Sequence, residues 1–131
     1  MVLSLFPLSL LAAPPDTYVE GSDRYFVIEA SSGGMTEIKL GKMAGKHGAS
    51  EAVKEFGKHM VADHSKSGRT LQQLASKLGI TVPDEPMEKH KDAIKTFKGL
   101  KKDNFDASYS AQMVNDHEAT ISLFEKEAEN G

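Results

Sequence analysis

Hydrophobic positions along the chain recur at intervals of three and four, the spacing that gathers side chains on one face of an α-helix. From Ser22, a good N-cap followed by Asp23, the residues Phe26, Ala30, Gly33, Glu37, Leu40 and Ala44 alternate in steps of four and three. They predict a first long helix over 22–46. Glu37 is the charged member of that seam. Gly33 and Gly34 weaken the helix by about 1 kcal/mol each relative to Ala, so they predict close approach of another helix or room for something bound. Gly45 to Ala49 makes a turn, and Ser50 caps a second helix predicted over 50–78, with the stripe Val53, Phe56, Met60, His64, Ser67, Leu71, Leu74 and Leu78. Gly79 supplies its stop and Pro83 prevents resumption. Met87, Ala93, Ile94 and Phe97 carry a weaker pattern that predicts a short crossover helix over 87–100. Asp103 is predicted to cap a third long helix over 103–129, with the stripe Phe105, Tyr109, Met113, His117, Thr120, Phe124 and Ala128.

No stretch alternates as a strand would, so the predicted class is all-α: an up-down helical bundle with a long crossover connection. A connector running from Gly79 to Lys102 is long enough to cross a bundle, which sets the second and third long helices parallel. One structural position is used twice. Met60-Val61-Ala62-Asp63-His64 returns as Met113-Val114-Asn115-Asp116-His117, and an aromatic, Phe56 or Tyr109, stands four residues before each Met. His64 lies 14 residues after Ser50 and His117 lies 14 after Asp103. Parallel helices starting level therefore bring the imidazoles to one height, about 21 Å into the bundle. Folding the first helix back near Gly48 sets Gly33 opposite His64 and leaves Glu37 about 6 Å further along.

Composition changes this picture by exclusion. The 131 residues contain no cysteine, so disulfides, thiolate nucleophiles and thiolate metal sites are ruled out. A net charge of -3 leaves no basic footprint for nucleic acid. Any metal needs His, carboxylate or Met ligands. His64 and His117, with Glu37 as the carboxylate, are the candidate ligands for a transition metal such as Cu, Zn or Fe; the alternative is a pair of packed imidazoles bonded to Ser67, Thr120 or neighbouring carboxylates. Met60 and Met113 are candidate thioether ligands or ordinary core side chains. Asp63 and Asp116 point about 100° away from the histidines, which suits support of the site or surface salt bridges. The di-iron pattern is absent, because Val61 and Val114 stand where Glu-x-x-His requires Glu. His47, His59 and His90 read as surface groups, and no recognisable catalytic set emerges.

The apolar run over 1–15 is too short to span a bilayer and reads as an export signal, although no Lys or Arg precedes Arg24. A linker over 16–21 follows, then the bundle over 22–131. Phe26-Val27-Ile28-Glu29-Ala30 with Gly34 to Gly41, Phe56 to His64 with Leu71, Leu74, Ala75, Gly79, Ile80 and Pro83, and Phe105-Asp106 with Tyr109, Met113, Val114 and His117 together resemble a family. It is the exported bacterial ferritin-like domain of unknown function often labelled a predicted outer membrane protein. The resemblance implies a ferritin-like bundle in the periplasm or cell envelope, without a transmembrane segment in the mature chain. It also implies that Glu37, Asp63, His64 and His117 hold marked positions. The resemblance also implies a further helix beyond these residues, so either the chain is a fragment or its open side is covered by another chain. The expected partner is therefore a second copy, as a homodimer, or another helix that covers the open side.

Overall fold

The computed structural model describes residues 18–100 and 102–131, so the expected export segment lies outside the described residues. Four helices follow in order: α1 (Asp23–His47), α2 (Glu51–Lys77), α3 (Glu88–Gly99) and α4 (Lys102–Asn130). Among the described residues there is no strand, and no helix is long and apolar enough to cross a membrane.

The expected caps at Ser22 and Ser50 are formed. Ser22 Oγ accepts from the Tyr25 amide at 3.1 Å and Ser50 Oγ from the Val53 amide at 3.2 Å. Each satisfies an amide that the first turn leaves without a partner. Gly79, at φ +68°, ends α2 in the left-handed conformation while the Ile80 amide reaches back to the Ala75 carbonyl at 2.8 Å. Asp103 is not the cap of the last helix. α4 already begins at Lys102, and Asp103 sits in its first turn, where its charge complements the helix dipole. Asp106 ties this end of α4 to the first turn of the bundle by accepting from the Ala49 and Ser50 amides, both at 2.8 Å.

Contacts along the helices fix their directions. Phe26 meets Phe124 edge-on at 4.9 Å while His47 faces Phe105 at 6.5 Å, so α1 and α4 are antiparallel. Phe56 meets Tyr109 and His64 meets His117, so α2 and α4 run parallel as expected. The helix in the connector does more than cross. Ser32 contacts Met87 and His90, whereas Leu40 and Ala44 share a core with Ile94 and Phe97, so α3 runs alongside α1 and fills part of a fourth place. At 1.5 Å per residue its 12 residues cover about 18 Å, against about 43 Å for the 29 residues of α4.

α1 is the hub against which the other three helices pack. Its burial is accordingly wider than one seam: Glu29, Ser32 and Thr36 are buried with Phe26, Val27, Leu40 and Ala44, while Ala30 and Gly33 are only half-buried. Between α1 and α2 the backbones touch. A Cβ on Gly41 would lie 2.7 Å from the Gly57 carbonyl oxygen, and one on Gly57 2.6 Å from that of Gly41. This crossing centres the α2 seam on Gly57, Met60 and Ala75, and so turns part of the predicted stripe outward: Phe56, Leu74 and Leu78 are exposed. Val114, Ile121 and Phe124 of α4 are exposed as well. Two apolar clusters make the core. One joins Leu40, Met60, Phe97, Phe105, Tyr109 and Met113, and the other joins Phe26, Val27, Ile28, Ala75 and Ile80. Glu37, His64 and His117 belong to neither.

Candidate metal centre

Glu37, His64 and His117 come together from three helices, with one ligand-capable atom from each lying within 4.8 Å of the others. Glu37 Oε2 is 2.6 Å from His64 Nε2 and 3.8 Å from His117 Nε2. The axial gap expected between Glu37 and His64 is closed by side-chain direction. Gly34 lies opposite His64, close enough that a Cβ there would be 3.5 Å from His64 Nδ1. Side chains of a helix lean toward its N-terminus. Because α1 and α2 are antiparallel, Glu37 and His64 lean toward each other.

His117 is oriented by its own helix: Nδ1 is 2.7 Å from the Met113 carbonyl oxygen, an acceptor only. The ring therefore carries its proton on Nδ1, and in the neutral form Nε2 presents a lone pair on the Glu37 side. A carbonyl holding the remote ring nitrogen is the usual support of a metal-binding imidazole. Glu37, by contrast, has an unmet need. Its Oε2 is shielded from solvent and its close neighbours are imidazole nitrogens: His64 Nε2 satisfies it when that ring is protonated, and a neutral ring with its lone pair on Nε2 leaves the oxygen unpaired. Buried polar atoms in that condition are costly. The donor set fits a cation, since separations of 2.6 and 3.8 Å straddle the ~3.3 Å between neighbouring ligands that bonds of about 2.0–2.1 Å make around a tetrahedral ion. A carboxylate this near also raises the His64 pKa above the ordinary imidazole value; burial opposes the effect and the Asp63 charge adds to it.

The other expected site residues divide. Met60 and Met113 are buried in the apolar cluster with Leu40 and Phe97. Asp63 is exposed. Asp116 is half-buried, accepts from Gln112 Nε2 at 2.8 Å, and has its pKa raised by burial and by the Glu37 charge. His47 and His59 are exposed as expected. His90 is not a surface group: α3 packs against α1, and this half-buried ring sits with Nδ1 2.5 Å from Ser32 Oγ. Burial lowers its pKa. Sequence reasoning also missed Glu29, which Lys89 Nζ meets at 2.6 Å and Tyr18 bonds through its hydroxyl. A signal existed, because Glu29, Ser32 and Thr36 follow helical spacing and form a polar stripe beside the apolar one. Glu29, Thr36, Lys89 and His90, with Gln112 and Asp116, line a cleft of about 820 Å³ between α1, α3 and α4 that reaches Glu37.

The sequence profile of one family, described as a domain of unknown function (DUF4142), matches residues 9–131. The chain belongs to this family. DUF4142 names no activity, and no curated protein and no solved structure shows significant similarity to the chain. Within this DUF4142 domain, Glu37, His64 and His117 are a juxtaposition that the twice-used Met-Val-x-Asp-His segment and the α1 seam create together.

Proposed function

We propose that this chain is a ferritin-like metal-binding bundle, exported to the periplasm or cell envelope, in which Glu37, His64 and His117 hold a divalent transition metal of the Cu, Zn or Fe class. The observation that carries the reading is the buried Glu37 Oε2 beside two imidazole Nε2 atoms. His117 is already in the tautomer that offers Nε2, and His64 offers its own Nε2 once its proton is displaced. The reading is of binding rather than of a named reaction. Elemental analysis of natively purified protein beside the His64→Ala, His117→Ala double variant tests it. About one ion per chain, lost in the variant, is the expected result; substoichiometric metal in both, with no thermal stabilisation on adding Cu, Zn or Fe, refutes it. Export rests on the apolar run before Pro14. A mature terminus near 14–16 in the periplasmic fraction is expected, and an intact Met1 confined to cytosol contradicts it.

A second reading, a structural or protein-interaction module, is favoured by the exposed Phe56, Leu74, Leu78, Val114, Ile121 and Phe124. Contiguous apolar surface on a helical face commonly marks a contact with another chain. The two readings are compatible if the apolar face and the ligand cluster serve different partners.

A further inference from the structure

We infer that an ion at Glu37, His64 and His117 keeps at least one coordination position open toward the groove that α1 and α2 line and that Thr120 and Phe124 of α4 border, so that the site takes a small exogenous donor ligand as well as the metal. The inference rests on the metal-binding reading above and narrows it to an open centre with a class of ligand. Three observations carry it.

First, the described residues supply three donors and no fourth His, Asp or Glu that shares their cluster. A structural zinc site is closed by four protein ligands, whereas three protein ligands leave a place for solvent or substrate. Two imidazoles and one carboxylate with open positions are also a recurrent donor set of mononuclear non-haem iron(II).

Second, exposure rises across the cluster. The Glu37 side chain is 4% exposed, that of His64 22% and that of His117 42%. The carboxylate closes the inner side of the ion, and the imidazoles stand at the edge of solvent. The vacant position therefore faces outward, past the two rings.

Third, there is space on that side through which a ligand can reach the ion from solvent. His64 and Gly34 line a groove of about 890 Å³ whose walls include Ile38, Leu71, Thr120 and Phe124. Lys66 and Arg69 of α2 also line it, so the groove admits a small anion or a diatomic molecule that bonds to the ion directly. Thr120 lies one turn beyond His117 on α4 and lines both this groove and the cleft behind Glu37, so its side chain sits where such a ligand would pass.

Cobalt(II) and azide serve as probes. The intact protein is loaded anaerobically with cobalt(II), and its visible absorption is followed during azide titration. Saturable change at one azide per cobalt is expected, with azide affinity reduced roughly tenfold or more in Thr120→Phe at undiminished cobalt stoichiometry. Thr120→Leu repeats the measurement with a smaller side chain, should Phe disturb folding. Stoichiometric cobalt whose spectrum ignores azide overturns the open position while leaving the metal reading intact. Azide binding that is unchanged in both Thr120 variants overturns the groove as the ligand's side of the ion. Failure of the intact protein to take up cobalt at all overturns the metal reading itself, and with it this one.

Discussion

Glu37 treats its two imidazoles differently, and the difference has a measurable consequence at the level of single residues. His64 touches the carboxylate and its pKa is raised above the ordinary value, while His117 is held through Nδ1 by the Met113 carbonyl. A histidine whose folded pKa exceeds its unfolded value of about 6.5 contributes stability that is fully present below that value and is lost as pH rises through the folded pKa. His90 works in the opposite sense: burial lowers its pKa, so protonating it costs stability as pH falls below about 6.5. The two are separated by Glu37→Gln. In metal-free protein, the part of the melting temperature that declines from mildly acidic to mildly alkaline pH should be smaller in this variant than in the parent. Parallel pH profiles for both, measured by thermal melts, would remove Glu37 as the cause. Much of the site was legible in sequence. The repeated Met-Val-x-Asp-His segment on two parallel helices paired His64 with His117, although the cap expected at Asp103 does not form, and seam placement singled out Glu37. The reach of Glu37 to His64 was not legible, because it depends on two antiparallel helices leaning their side chains together. His90 was hidden for another reason: local spacing orders residues on one helix but does not say against which neighbour a short helix will lie.

At the level of helices, the decisive feature is the backbone contact between Gly41 of α1 and Gly57 of α2. The seam residues alone implied a stripe through Phe56 and Leu74, and the glycine crossing rotated α2 away from it. The sequence predicts close approach or room for something bound at Gly33 and Gly34, yet a Cβ at Gly33 would meet nothing within 4 Å and one at Gly34 would make ordinary contact. Glycine in a helix is therefore not by itself a sign of tight packing; what distinguishes Gly57 is a facing glycine on the partner helix. Replacing an interior glycine with alanine gains up to ~1 kcal/mol of helix propensity, whereas forcing a methyl group into a tight contact costs about 1–3 kcal/mol. In Gly57→Ala the new Cβ would also fall 2.7 Å from Ala44 Cβ, so the cost prevails. At Gly68, also within α2, nothing lies within 4 Å and only the gain remains. Urea denaturation should show Gly57→Ala destabilised by about 1–2 kcal/mol after this offset and Gly68→Ala stabilised by roughly 0.5–1 kcal/mol. A stabilised Gly57→Ala would mean that the two helices are not in backbone contact.

Across the whole molecule, the all-α class, the parallel pair α2 and α4 and the antiparallel return of α1 followed from hydrophobic spacing and connector length; the use of α3 as a partial fourth helix did not. With α3 covering part of one side, the opposite groove between α2 and α4 stays open, and its charges are not evenly spread. From Lys66 to Lys77, α2 carries Lys66, Arg69 and Lys77 with no acid; from Glu118 to Glu129, α4 carries Glu118, Glu125, Glu127 and Glu129 against Lys126 alone. Exposed Leu74, Leu78, Ile121 and Phe124 lie along these same stretches. A two-fold pairing can set the basic helix of one copy beside the acidic helix of the other while the apolar side chains meet between them, because the same patch then serves both partners. Homodimerisation through this half of the groove is the expected outcome, with His64 and His117 at its edge. Light scattering should report a dimer in the micromolar range that weakens as salt screens the charged walls. Ile121→Asp should yield a monomer that still melts cooperatively, since Ile121 is exposed and contributes little to the chain's own core. A parent protein that stays monomeric across that range, or a dimer indifferent to Ile121→Asp, would place association elsewhere and leave the groove to a different occupant.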